Sequence, residues 1–337
     1  MNQQHAILSY RYLLIAGVIL VLISFPWWAP LFYLNLAIRI LFFGIVVMGF
    51  SFLGGQLGLL SLMQSFFFGI AGYTVAILQV RYGILFPIPP LIGLFAAILL
   101  AIFFGFFVLR TQGVYFLMLT MVIGQIGWVL SLQLTSITHG TTGIIGVNAP
   151  EILHGSQIAF YFVQLVIFLI CIGFLFKVMR SPFGLFLRGI RESESRMIML
   201  GYPVFFIKLA AFVLSAALTA IGAIFYVYFY GVMNPDAISL AANVNIMLAS
   251  ILGGMGSLFG AILGSFIVKT LNMSLSAITA RYMLVTGILF LVVIMFFPNG
   301  IIGGLGEVKI SSFRTIWQRV TQRETFQISK KQKDGYK

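Results

Sequence analysis

The chain has 337 residues, of which 61% are hydrophobic and only 8% are charged, whereas soluble domains carry roughly 25% charged residues. This composition excludes a water-soluble fold, and the continuous apolar runs, which do not alternate with polar residues, exclude a β-barrel. The net charge of +13 suits orientation in a bilayer better than nucleic-acid binding, so we expect no nucleic-acid partner. The sequence predicts an all-α, polytopic integral membrane protein.

Apolar stretches of about 20 residues predict about ten transmembrane helices, within a range of about eight to ten. They lie at residues 13–31, 33–54, 57–80, 84–109, 113–134, 158–178, 204–230, 243–256, 257–272 and 281–297. The first is expected to be a retained span, because no small-residue cleavage site precedes Pro26. Glycines and Ser257 in the region 243–272 leave three alternatives open: two short spans, a re-entrant hairpin or one kinked helix.

Basic residues divide the chain and predict its orientation. We expect residues 1–306 to form the transmembrane domain and residues 307–337 to form a basic tail, since eight of the 20 Lys and Arg lie in the last 29 positions. A second cluster lies in one loop and consists of Lys177, Arg180, Arg188, Arg191, Arg196 and Lys208. Basic loops stay in the cytoplasm, so both termini are predicted there, with membrane lipid as a partner of the tail. Residues 135–157 and the segment 234–236 are then extracytoplasmic.

The segment 181–203, SPFGLFLRGIRESESRMIMLGYP, predicts a short cytoplasmic helix. Ser181 is placed to cap its first amides, Pro182 suits the first helical position, and Gly201 followed by Pro203 ends it. Apolar residues at helical spacing predict one buried face, formed by Phe183, Phe186, Leu187, Ile190 and Met197.

Charged residues on this helix leave two interpretations open. Arg188, Glu192 and Arg196 follow one another at four-residue intervals, which predicts a favourable charge ladder. A basic amphipathic helix can lie on the bilayer surface, or it can dock a cytoplasmic partner protein. We favour docking, because Glu192 and Glu194 weaken binding to anionic lipid but suit a protein groove.

Polar residues also gather among glycines in and beside the predicted span 57–80, namely Gln56, Ser61, Gln64, Ser65 and Thr74. Polar groups in hydrocarbon need partners. They can bond neighbouring helices, or they can belong to a broken helix that lines a translocation path. The LGGMGS stretch at 252–257 allows the same two interpretations, with close helix packing slightly favoured.

Several function classes lack the residues that they need. Arg39, Arg110, Lys269 and Arg281 are expected at span boundaries or helix ends, and no acid or histidine lies inside a span to serve a proton-coupled carrier. The three histidines and the single cysteine are not arranged for metal binding or catalysis, so we expect no catalytic residue and no metal site. A passive channel is compatible with the composition, but it would not need a docking helix.

The sequence lacks a phosphate-binding G-x-x-x-x-G-K-[ST] motif. We therefore expect no cofactor in this chain. If ATP drives transport through it, the ATP and Mg²⁺ would be bound by partner ATPase subunits.

The segment 181–201 resembles the cytoplasmic coupling segment of branched-chain amino-acid ABC transporter permeases of the LivM type. That pattern runs roughly S-P-F-G-R-A-L-R-A-I-R-E-x-E, with L-G-I shortly after, and this chain departs from it at Leu185 and Gly189. The matching positions are Ser181, Pro182, Gly184, Arg188, Arg191, Glu192, Glu194 and Gly201. The resemblance implies that these residues couple the chain to an ATPase.

Further stretches are similar to the same family, in the family's order. GLLSLMQSFFFGIAGY (58–73), LRTQGVYFLMLT (109–120) and THGTTGIIGV (138–147) are followed by KLAAFVLSAALTAIGAIFY, LGGMGSLFGAILG and FFPNGIIGGL. Gln64 stands where the family commonly has histidine, His139 where it has glycine, and Thr142 where it has aspartate or asparagine. These departures fall at polar positions where a substrate or a gate is expected.

The resemblance implies the permease subunit of an ABC importer that moves leucine, isoleucine or valine across the cytoplasmic membrane of a bacterium or archaeon by alternating access. It also implies a homologous permease of the LivH type, two ATPase chains of the LivG and LivF type, and an extracytoplasmic substrate-binding protein. The expected translocation path consists of Gln56, Ser61, Gln64, Gly69, Gly72, Tyr73, Gly253, Gly254 and Ser257. His139, Thr141 and Thr142 are expected in an extracytoplasmic loop.

Cargo identity depends partly on the chemistry of the path. An uncharged interior suits a zwitterion with an apolar side chain, whose charges helix ends and hydroxyls can meet. Urea or short-chain amides would suit the same machine, and an ATP-independent channel or secondary carrier is the alternative of a different class. In each case we expect a transporter subunit and not an enzyme.

Overall fold

The computed structural model describes residues 22–150 and 156–278, with the single positions 284, 287, 288 and 300. The predicted basic tail 307–337, most of the predicted span 281–297 and the first part of the span 13–31 lie outside the described residues. Residues 22–28 are helical, in agreement with the later part of that first span.

Helices make up nearly all of the described chain. The longer ones are α1 (Leu31–Phe52), α2 (Gln64–Val80), α3 (Ile88–Val108), α4 (Gly113–Gln133), α6 (Gln157–Arg180), α9 (Val204–Tyr230), α10 (Leu240–Gly253) and α11 (Leu258–Ile278). The shorter elements are α5 (Thr135–Thr138), α7 (Pro182–Glu192), α8 (Glu194–Met199), β1 (Ile144–Ile145), β2 (Val232–Met233) and a 3₁₀ turn at Pro235–Ile238.

Six stretches of the described chain are long and apolar enough to cross a membrane. They are α1 with its continuation to Leu57, α3, α4, α6, α9 and the larger part of α11, whereas α2 and α10 are apolar but shorter. Hydrocarbon permits only backbones that satisfy their own polar groups, so these stretches are helical. The predicted polytopic helical fold is confirmed, and the count of ten spans stays a prediction.

α1 lies at the centre of the bundle, where it contacts α6, α9, α10 and α11. Gly44 on α1 faces Phe168 of α6 and Ser265 of α11, and Gly49 faces the backbone of Ser215 on α9. Small residues let helix backbones approach closely in membranes. α3 and α4 are only 28% and 22% buried within the chain, so they present broad apolar surfaces to lipid or to another subunit.

A two-stranded antiparallel pairing joins the loops at one end of the bundle. Ile144 of β1 pairs with Met233 of β2, and Ile145 pairs with Val232. Gly143 precedes β1 with φ 70°, next to the Met233 carbonyl. The two loops that the basic-residue distribution predicts to be extracytoplasmic therefore lie on the same side of the bundle.

The predicted span 57–80 is not one helix. α1 continues as a π-helical turn, Leu53–Leu57, and Gly58 then adopts a left-handed conformation with φ 74°. α2 begins only at Gln64. The region 243–272 forms two helices, α10 and α11, separated at Gly254 and Gly256, both of which have positive φ, so the kinked-helix alternative is wrong.

The predicted single helix over 181–201 is also wrong. Ser193 is extended, with φ −162° and ψ 101°, and its hydroxyl caps α8 by accepting a hydrogen bond from Arg196 N. The charge ladder is therefore interrupted, because Arg196 lies on α8 and Glu192 ends α7. Ser181 does not cap α7, since its Oγ donates to the Val178 carbonyl at 2.6 Å. Gly201, with φ 81°, follows α8 as predicted.

Two cations predicted at helix ends lie inside helices. Arg39 is in the first half of α1, and Lys269 is near the middle of α11. Arg110 comes two residues after the end of α3, near the helix end as predicted, and Arg281 lies outside the described residues. Two positive charges therefore lie within helices of the bundle.

Candidate translocation and coupling site

The break between α1 and α2 is buried inside the protein. Gln56 and Ser61 are 5% and 1% exposed, and Ser61 Oγ accepts a hydrogen bond from Met63 N at 3.3 Å. Leu62 N donates to Thr120 Oγ1 of α4 at 3.1 Å. Non-helical backbone at membrane depth persists only where protein or water satisfies its polar groups, and here side chains do so. Gln56 Oε1 is buried without a partner among the described residues.

Gln64 opens α2 and bridges to α9. Its Nε2 donates to Ser215 Oγ at 2.7 Å, and its Oε1 accepts from Thr219 Oγ1 at 2.6 Å. Ser215 Oγ donates in turn to the Gly49 carbonyl of α1 at 2.7 Å. The polar groups of Gln64 thus join three helices in a fully buried network.

Asn243 of α10 holds the other side of the break. Its side-chain oxygen accepts from Ser65 N at 3.3 Å, and its amide donates to Ser65 Oγ at 2.8 Å and to the Leu62 carbonyl. Sequence analysis missed Asn243, Ser215, Thr219 and Thr120. Ser215 and Thr219 are spaced four apart in an otherwise apolar helix, a signal that could have found them.

The two helix breaks meet in the middle of the fold. A Cβ added to Gly55 would overlap the backbone of Gly256, and Gly256 N donates to Ser51 Oγ of α1 at 3.3 Å. Ser257 Oγ caps α11 by accepting from Gly260 N at 3.2 Å. The predicted path residues Gln56, Ser61 and Gln64 lie along the first break, and Gly253, Gly254 and Ser257 lie at the second.

Gly69, Gly72 and Tyr73 lie along α2 rather than in a break. A Cβ on Gly69 would meet Ile238 Cγ2 at 2.7 Å, and one on Gly72 would meet Met233 Sδ at 2.7 Å. Tyr73 is 7% exposed. These positions let α2 pack closely against β2 and the turn that follows it.

The predicted extracytoplasmic residues His139, Thr141 and Thr142 are all exposed. His139 has φ 60°, which is uncommon for a residue with a side chain. It joins α5 to a short 3₁₀ turn at Gly140–Thr142. These three side chains are accessible to a docking protein.

The predicted coupling residues on α7 are exposed at every position but one. Pro182, Arg188, Arg191 and Glu192 are exposed. Gly184 is buried, and it packs so closely that a Cβ there would overlap the Met179 carbonyl. Arg191 donates from Nη1 to the carbonyl of Gly55 in the π-helical turn, and its side chain packs on Gly58.

An ion pair fixes α8 to the membrane helices. Glu194 Oε2 lies 2.5 Å from Lys208 Nζ of α9, and the two side chains are 27% and 5% exposed. Gln112, which precedes α4, donates to the same oxygen at 2.9 Å. The segment of α7 and α8 is thus attached at two points, through Arg191 and through Glu194.

Comparison with known proteins identifies the family. Residues 32–296 match the family model described as branched-chain amino acid transport system / permease component. The chain belongs to this permease family. Its members supply the permease component of a transport system, so the chain is a transporter subunit that works with other subunits, and it is a multi-pass protein of the inner membrane.

Individual members of the permease family show how far the similarity extends. The high-affinity branched-chain amino acid transport system permease protein LivM of Escherichia coli K12 is 26% identical over 86% of this chain and 74% of its own length. BraD of Pseudomonas aeruginosa, a permease of the same kind, is 32% identical over 41% of this chain and 45% of its own. LivH of Escherichia coli K12 is 29% identical over 42% and 46% respectively. No solved structure matches the chain.

Proposed function

We propose that this permease carries leucine, isoleucine or valine inward as part of an ATP-driven importer. In this proposal it pairs with a homologous permease, and two ATPase chains and an extracytoplasmic binding protein complete the machine. The named relatives are permeases of high-affinity branched-chain amino acid transport systems, which supports this cargo over urea and short amides.

The link between α7 and the first helix break carries the proposal. Arg188 and Glu192 are exposed on α7 and available to an ATPase, while Arg191 reaches inward to the Gly55 carbonyl. A displacement of α7 would therefore pull on the π-helical turn that leads into the break. Transporters place such broken helices at their substrate path, and alternating access requires that partner movement reach it.

Pairing of two permeases follows from the docking geometry. The described chain presents one α7 segment, and it would engage one ATPase. A second permease would supply the second docking segment for a second ATPase. The weakly buried α3 and α4 offer apolar surface for lipid or for that second permease.

Uptake in vesicles that contain all five chains tests the proposal. Labelled leucine should accumulate only with ATP inside and binding protein outside, and unlabelled isoleucine and valine should compete. Transport of urea or an amide without leucine would keep the machine and reject the cargo. Entry of any of these solutes through this chain alone, without ATP, would reject the machine.

A further inference from the structure

Two cations lie inside the membrane helices without a carboxylate beside them. Arg39 is eight residues after the start of α1 and Lys269 is eleven residues after the start of α11, about 12 Å and about 16 Å along the helix axes. No Asp or Glu of the described residues lies within 4 Å of either charge, since the pair between Lys208 and Glu194 is the one ion pair found there. Ionisable residues at such depth are costly and mark substrate or ion pathways.

Aromatic rings contact both cations: two rings lie against Arg39 and one lies against Lys269. The Arg39 guanidinium lies 5.2 Å from the ring centroid of Tyr230 and 5.8 Å from that of Phe229, and its buried Nε has no hydrogen-bond partner within the described part of the chain. Lys269 Nζ lies 4.1 Å from the ring centroid of Phe43, which follows Arg39 by one helical turn on α1. Ring faces attract cations but carry no net negative charge, and the two cations repel each other. The pair therefore favours an anionic group.

A cavity of about 430 Å³ adjoins the two rings that contact Arg39, while Arg39 and Lys269 themselves lie outside its lining. Phe229 and Tyr230, which contact Arg39, line it together with Ile38 of α1 and Phe160 of α6. Asn148, Ser156 and Gln157 contribute its polar lining. Its volume and its mixture of aromatic and polar groups are typical of small-molecule sites.

We propose that Arg39 and Lys269 bind the carboxylate of the transported amino acid while its side chain occupies the adjacent aromatic cavity. This inference rests on the proposed function and names a substrate site for it. A guanidinium binds a carboxylate through two parallel hydrogen bonds, and the ammonium group provides a second positive charge. A phospholipid headgroup is the weaker candidate, because both charged groups pack against aromatic rings of the bundle.

The test uses the five-chain vesicles and two readouts, leucine uptake and ATP hydrolysis stimulated by the loaded binding protein. R39Q and K269Q should each lower leucine uptake about tenfold or more, while stimulated ATP hydrolysis stays within about twofold of the wild type. R39K and K269R keep the charge and should retain more uptake than the glutamine variants. R81Q is the matched control, since Arg81 is exposed at the end of α2 and donates to the Ser136 carbonyl, and uptake should be unchanged.

The thermal midpoint of the purified permease pair separates a binding role from a structural one. Removing an uncompensated charge from a membrane helix should leave the midpoint unchanged or higher. A lower midpoint with parallel loss of uptake and ATP hydrolysis would overturn the inference, because the charges would then be structural.

Failure of this inference is distinguishable from failure of the proposed function. Normal leucine uptake by R39Q and K269Q would overturn the carboxylate site and leave the importer standing. A second outcome would also overturn it. Uptake would then depend on the headgroup charge of the vesicle lipid and would be equal in the wild type and the variants. Absence of leucine uptake by the wild type would reject the proposed function and the site together.

Discussion

Arg191 donates a hydrogen bond to the backbone carbonyl of Gly55, although 136 positions of sequence separate the two residues. The carbonyl is accessible because α1 ends in a π-helical turn and the chain then leaves the helix at Gly58. The bond joins the exposed helix α7 to the break that leads into the Gln64 network. It is a direct connection between the surface of α7 and the buried interior of the bundle.

Replacing Arg191 tests this connection. We expect R191A to lower ATP-dependent leucine uptake about tenfold or more, because a hydrogen bond from a charged donor to a buried carbonyl is lost. ATP hydrolysis should persist, since the exposed surface of α7 remains. Arg196→Ala removes an exposed cation from α8 and should leave both activities intact. Equal and normal uptake in both variants would show that α7 transmits no movement through Arg191.

The ion pair between Glu194 and Lys208 makes a separate prediction about stability. Lys208 is almost fully buried, so E194A should leave an unpaired buried charge and destabilise the permease by about 3 kcal/mol or more. K208M on the E194A background should recover most of that loss, because the charge is gone. Thermal unfolding of wild type, both single variants and the double variant in detergent gives the coupling energy, and simple additivity would contradict the prediction.

Apolar composition was sufficient to predict the regular helices. α9 was predicted at its observed bounds, 204–230, because hydrocarbon leaves a long apolar segment no alternative to a helix. A broken helix was one of two interpretations of this segment, but its position at 58–63 was not predicted, since Leu59, Leu60 and Leu62 are as apolar as a helix would require. The deciding feature is Gly58, whose left-handed conformation no hydropathy pattern reveals.

The polar network could not be predicted from one sequence because its partners are distant along the chain. Asn243 and Ser65 are 178 positions apart, and Gln64 and Thr219 are 155 apart. The sequence identified Gln64 as unusual but not what it contacts. Arg39 and Lys269 were assigned to helix ends because a charge inside hydrocarbon is costly, and the aromatic rings that contact them come from distant or neighbouring turns that one sequence does not bring together.

Asn243 is expected to stabilise the non-helical segment through three hydrogen bonds made by one side chain. N243A removes the partners of Ser65 N and the Leu62 carbonyl, both inside the protein. Interhelical hydrogen bonds in membranes contribute about 0.6 kcal/mol on average, so the loss of several should total about 2 kcal/mol. N245A is the matched control, because Asn245 lies on the same helix but is only half-buried, and it should cost less. Unfolding measurements should show this difference, and a change below about 0.5 kcal/mol in N243A would mean that other groups hold the break.

Orientation is predicted from the basic residues and can be measured with single cysteines. In a Cys171→Ser background, Ser195→Cys on α8 and Gln322→Cys in the tail should resist an impermeant thiol reagent in intact cells. Thr141→Cys is exposed beside β1 and should react readily. Ser195 is preferable to Ser193, whose hydroxyl caps α8. Labelling of residue 195 with protection of residue 141 would invert the proposed orientation.

Gly69 on α2 packs against a side chain of the turn at Pro235–Ile238, so a second substitution should relieve the clash that a methyl group creates there. The added Cβ would lie 2.7 Å from Cγ2 of Ile238, and I238A removes that atom. G69A alone should therefore destabilise the permease by about 1–3 kcal/mol, while the double variant should be more stable than the sum of the two single effects predicts. G173A is the matched control, because nothing lies within 4 Å of a Cβ at that exposed helical position. Thermal unfolding of these variants measures the coupling. Strict additivity would show that α2 shifts away from the turn as a unit, since the methyl group at residue 69 would then never meet residue 238.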